Sequence, residues 1–270
     1  MNTIEFIKLF PKAFKEWIHD RADGLAASIA YYQLMSMPPF IALIVLASSA
    51  IFGEQQSREE VEPLITQFFH PQFIIAVKYM LKYSFNLDET KFLTITALAI
   101  ISLVHGTFGY FSQIKDSIET FWGKTTAQVN IKAAIKGKAE GLFMAGVFFL
   151  ILTAGFIVGH WFSGMEGILR YTFMLVIEFI VLFSISFFLL VYCPPEKVRW
   201  DDALPGAILT TILFMLGRLV LRYFLNRHQA TPEDVAATLI LYLLWAYYSA
   251  LVFLYGAEFS KLYIMKRRGS

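Results

Sequence analysis

Residues 171–193 read YTFMLVIEFIVLFSISFFLLVYC, an apolar run carrying one charged side chain, Glu178. A helix rises about 1.5 Å per residue, so about 20 apolar residues cover the roughly 30 Å hydrocarbon core of a bilayer. A run of this length predicts a membrane-crossing helix, because in lipid a backbone must satisfy its own hydrogen bonds. Working outward, five further stretches have similar length and apolarity: 24–53, 92–114, 141–162, 203–225 and 235–262. The expected fold is therefore all-α, a polytopic membrane protein of six transmembrane helices plus short amphipathic helices. Composition agrees, since 16% of the 270 residues are charged and 57% hydrophobic, with mean hydropathy +0.57, against about 25% charged in soluble domains. With little chain between the runs and no internal repeat, residues 1–270 read as a single membrane domain.

Orientation follows from Lys and Arg, which cytoplasmic loops retain. Of the 23 Lys and Arg residues, fifteen fall before the first span, between the second and third, between the fourth and fifth, and at the end of the sixth or beyond it. Six lie on the opposite side, and most of these share a segment with a larger number of acids, among them Glu54, Glu59, Glu60 and Glu62. Both termini are expected in the cytoplasm.

Residues 1–23 interleave charges with Ile7, Phe10, Phe14, Trp17 and Ile18 at helical spacing and lack the apolar core of a secretory signal. They read as an interfacial helix on the cytoplasmic leaflet; packing of the same face on the bundle is the other reading. Residues 54–91 form the longer outer segment, expected as two amphipathic helices around His70 and Pro71. Cys193 is the single cysteine, so no intrachain disulfide forms.

The first span holds Pro38 and Pro39 near its middle. Proline removes a backbone donor and clashes one turn back, so a kink or unwound turn is expected there, facing protein or a cavity. Broken helices at mid-membrane recur in transporter sites, and Gln33 and Ser36 beside this break are candidate ligand contacts.

Four stretches carry a resemblance to a known family: AASIAYYQLMSMPPF (26–40), SIETFWG (117–123), WDDALPGAILTTILF (200–214) and LLWAYYSALVFLYGAEFSKLY (243–263). Together, in this order, they resemble the BrkB/YihY family of bacterial inner-membrane proteins. The resemblance implies six spans, an inner-membrane location and no assigned reaction. The chain departs from the family pattern at Glu119, where an Asn is usual, and lacks the Arg-Pro that follows the FWG motif.

Such proteins were formerly catalogued as ribonuclease BN-like, which raises an enzyme reading. A metallo-nuclease needs converging His and carboxylate ligands. The five histidines, His19, His70, His105, His160 and His228, stand singly on different elements. With a net charge of +2 there is no strongly basic RNA-binding stretch either. No catalytic residue, metal, cofactor or nucleic-acid partner is expected.

Charges at membrane depth are costly and tend to be paired or functional. Glu178 lies seven residues into the fourth span, and Arg218 seven residues from the end of the fifth, so their depths match. Arg222 follows Arg218 by four positions and shares its helix face. Two guanidinium groups with one carboxylate suit an anionic ligand such as a phosphate headgroup. The competing reading is a structural Glu178–Arg218 pair with Arg222 snorkelling to outer headgroups. Glu258 is expected as an inner-end anchor, paired with Arg21 or Lys261. His105 reads either as a proton or polar relay or as a neutral core histidine. Gly155 and Gly159 form a close-packing pair.

These residues support binding or translocation of an amphipathic anionic substrate, plausibly a lipid, with membrane lipids as the expected partners. The alternative is a non-transporting scaffold of the cell envelope. No Gly-x-x-x-x-Gly-Lys-Ser/Thr phosphate loop occurs in the sequence, so transport would draw on a gradient, a partner or downhill flow.

Overall fold

The computed structural model describes residues 3–36, 88–123, 140–141, 143–148, 150–151, 154, 158, 167–227 and 235–269. Among them the regular structure is helical, with no strand. The helices are α1 (Thr3–Ile7), α2 (Leu9–His19), α3 (22–36), α4 (Glu89–Phe121), α5 (Gly167–Tyr192), α6 (Trp200–Arg227) and α7 (Val235–Arg268). The described residues between 140 and 158 are helical as well.

Among the described residues three helices are long and apolar enough to cross a membrane: Thr90–Phe121, Gly167–Tyr192 and Trp200–Val220. The protein is a helical membrane protein. Their exposed side chains include Leu98, Ile101, Ile180, Leu219 and Val220, an outer surface suited to hydrocarbon. Hydroxyls along these helices bond back to their own turns. Thr96 donates to the Phe92 carbonyl at 2.7 Å and Ser184 to that of Ile180 at 2.7 Å, so neither hydroxyl goes unsatisfied in an apolar setting. Pro38, Pro39 and most of the expected outer segment 54–91 lie outside the described residues, as do Gly155 and Gly159.

The fold divides into two compact units: Met1–Ile29 with Phe111–Phe224 and Tyr247–Ser270, and Ala30–Tyr110 with Leu225–Ala246. In the first unit α6 and α7 meet along a ridge of small residues. A Cβ on Gly206 would lie 2.7 Å from the Gly256 carbonyl oxygen, and one on Gly256 would strike the Thr210 hydroxyl. Only glycine permits this approach, the usual basis of helix association in membranes. Polar contacts continue the seam. Ser260 donates to the Asp202 carbonyl at 3.4 Å, Arg267 to the Asp202 carboxylate at 2.6 Å, and the Tyr248 hydroxyl to the Leu213 carbonyl at 2.8 Å. On α6 the contacts fall at 202, 206, 210 and 213, one face of a helix.

The same unit seats the N-terminal helices. Lys8 keeps helical backbone angles and donates to the Ile4 carbonyl at 3.1 Å, so α1 runs on into α2. Leu9 and Ala13 are buried with Phe259 and Leu262 of α7, flanked by Phe6 and Phe10. The Tyr255 hydroxyl donates to the Phe10 carbonyl at 3.1 Å. Packing on the bundle thus uses one part of the N-terminal apolar surface and leaves Phe14 and Ile18 exposed.

In the second unit α3 crosses α4 at two glycines. A Cβ on Gly106 would sit 2.9 Å from the Ser36 Cα, and one on Gly109 would meet the Tyr32 ring.

Candidate functional site

Glu178 on α5 and Arg218 on α6 form an ion pair, with 21% and 46% of their side chains exposed. Each projects from one of the three membrane-capable helices, where an isolated charge would be costly. The pair joins two separate helices. Arg222, one turn further along α6, falls outside the described side chains.

Gln33 and Ser36 lie apart from this pair in the sequence and belong to the second unit. The Ser36 hydroxyl donates to the Gln33 carbonyl at 3.0 Å, and Gln33 hydrogen-bonds the buried Tyr242 hydroxyl. Both are therefore engaged within the protein. His105 stands exposed on α4, whose close approach to α3 falls to Gly106 and Gly109.

Glu258 is completely enclosed, and its Oε1 accepts from Lys261 Nζ at 2.8 Å. Asp20 approaches the same ammonium at 3.7 Å. Arg21, the other expected partner, is exposed with a φ of 52°. That left-handed turn between α2 and α3 carries the arginine outward, while Asp20 faces Lys261 on α7. Glu258 Oε2 and the Trp17 indole nitrogen are buried without hydrogen-bond partners among the described residues. Nearby, the hydrogen bond and charge of Asp202 raise the pKa of Arg267 above its ordinary value.

A third cluster has little signature in sequence. Lys115 near the end of α4 forms an ion pair with Glu140 and a looser one with Glu119 at 3.9 Å. These side chains, with Tyr192, Cys193, Pro194 and Pro195, line a cavity of about 300 Å³. The i, i+4 spacing of Lys115 and Glu119 was a readable signal, but Glu140 lies across residues 124–139 and no spacing rule reaches it. Cys193 is buried, its sulfur 3.7 Å from that of Met144. Among the described residues no three His, Cys, Asp or Glu side chains gather as a metal site.

The family described as Virulence factor BrkB matches residues 13–269. The chain is similar to a UPF0761 membrane protein of Aeromonas salmonicida, 28% identical over 262 residues, covering 89% of this chain and 83% of that one. A UPF0761 membrane protein of Tolumonas auensis is 26% identical, with 90% and 80% covered. One from Pelodictyon phaeoclathratiforme is 24% identical; the match takes in 96% of this chain and 61% of its longer relative. No solved structure matches the chain.

Proposed function

Since the chain belongs to the BrkB family of integral membrane proteins, we propose that it binds and moves an amphipathic anionic substrate, a phosphate-bearing lipid in the first instance. The observation that carries the reading is the inter-helix pair of Glu178 and Arg218. With Arg222 four positions on, this stretch holds two guanidinium groups for one carboxylate, a formal surplus of positive charge. Guanidinium recognises phosphate through paired donors, and a half-exposed one can exchange a carboxylate for a phosphate oxygen. Fixed charge between apolar helices would hold the headgroup while the acyl chains stay in hydrocarbon. The role is non-catalytic, in keeping with histidines that stand singly along the sequence.

The Lys/Arg asymmetry supports a bacterial inner-membrane location with both termini in the cytoplasm. A cysteine at Gln56 is then labelled only from outside, and labelling confined to the cytoplasmic side would reverse the topology.

The binding test uses full-length protein and phosphatidylglycerol. Arg218→Ala alone strands Glu178, so the informative variant is Glu178→Gln with Arg218→Ala, which removes both charges. Retained folding with phosphatidylglycerol lost in native mass spectrometry is the expected result. A double variant that folds and keeps the lipid reduces the pair to a structural brace.

A further inference from the structure

The helical run 3–19 presents three sectors around its axis. The first faces α7 and is buried, built on Leu9 and Ala13 with Phe6 and Phe10 beside them. The second is apolar and more than half exposed: Ile7, Phe14 and Ile18 are 60%, 53% and 57% exposed, with Phe14 also stacked on Trp17 and edge-on to Tyr255. Their spacing of i, i+7, i+11 draws one line along the helix. The third is basic, with Lys8, Lys12 and Lys15 exposed at i, i+4, i+7 and His19 completing the line. Turning about the axis at about 100° per residue, the order is buried, exposed apolar, basic.

The buried sector accounts for the fold and leaves the other two without a role. An exposed apolar line next to a row of lysines matches a helix lying in a membrane interface, with apolar side chains at the acyl boundary and ammonium groups among phosphates. The run also packs on the last turns of α7, which is zipped to membrane-capable α6, so it is tethered to a bilayer-embedded body. We propose that residues 3–19 dock on a leaflet rich in anionic phospholipid, the Ile7–Phe14–Ile18 line entering it and Lys8, Lys12 and Lys15 binding headgroup phosphates. The occupant is a lipid surface, chosen by the complementarity of the lysine row to anionic headgroups.

The test uses the full chain in nanodiscs of phosphatidylcholine alone or mixed with phosphatidylglycerol. A bimane probe is placed at Ile18→Cys in a Cys193→Ala background. Quenching by a shallow spin-labelled lipid is expected to exceed quenching by aqueous iodide several-fold, and to strengthen with phosphatidylglycerol. Replacing Lys8, Lys12 and Lys15 with Gln is expected to remove the phosphatidylglycerol-dependent part while leaving thermal stability unchanged. Iodide quenching without lipid quenching overturns the proposal. So does shielding from both quenchers, which would mean a protein contact covers this face, and so does a lysine variant with undiminished response to phosphatidylglycerol. On the unsubstituted chain, hydrogen exchange of residues 3–19 should slow several-fold when phosphatidylglycerol is added; an unchanged rate overturns the proposal equally.

Discussion

Glu258 and Lys261 share one helix, three residues apart, with the carboxylate fully enclosed and the ammonium 10% exposed. Glu178 and Arg218 come from two helices, and the arginine keeps nearly half its side chain exposed. The first pair forms as soon as α7 coils, and the packing around it needs only to shelter it. The second exists only when α5 and α6 are in register, and it is the more exposed of the two. Two pairs of similar chemistry thus divide into an enclosed contact within one helix and a partly exposed contact between two. Enclosure and connectivity separate them, because charge alone does not.

The comparison breaks most sharply at Glu258. Glu258→Ala leaves Lys261 in a closed site with only Asp20 at 3.7 Å, and a loss of about 3 kcal/mol is expected, the lower end for breaking a buried pair. Thermal unfolding in detergent measures it, and a loss under about 1 kcal/mol would mean that Asp20 suffices.

Next comes the seam between α6 and α7. Gly256→Ala drives a methyl into the Thr210 hydroxyl, with an expected cost of about 1–3 kcal/mol for overpacking. Adding Thr210→Ala removes the struck atom, so the double variant recovers most of the loss; failure to recover would place the strain elsewhere.

At the more exposed pair the expected effect is smaller. Arg218→Ala should cost about 2 kcal/mol, less than for a closed pair because Arg218 is 46% exposed. Glu178→Gln in the same chain should restore most of it. The smallest effect is at Tyr248→Phe, which loses one hydrogen bond to the Leu213 carbonyl and about 1 kcal/mol. A Tyr248→Phe loss matching that of Glu258→Ala would erase the distinction between sealed interior and ordinary seam.

Helicity and membrane character were legible because each rests on a local quantity, the length of an apolar run. The run at 171–193 and the helix Gly167–Tyr192 coincide closely for that reason. The pairing of Glu178 with Arg218 was approachable through depth, since rise per residue converts sequence position into height. The contact of Asp20 with Lys261 and the outward turn of Arg21 were not, because they turn on a single left-handed residue. The Lys115–Glu140 contact was hidden for a related reason: its partners are 25 residues apart, with no periodicity linking them. Gly206 and Gly256 could be seen as small residues near Thr and Ser, but only the crossing of α6 and α7 makes them partners.

The buried thiol of Cys193 gives the molecule an internal clock. It is the chain's single sulfhydryl, shut against Met144 at the end of α5, so a maleimide in solution reaches it only when that end opens. The rate of alkylation then counts openings directly, with the slow limit set by local unfolding rather than by the reagent. Any added compound that tightens α5 against its neighbours will slow the clock, which turns an unmodified chain into its own assay for what it binds.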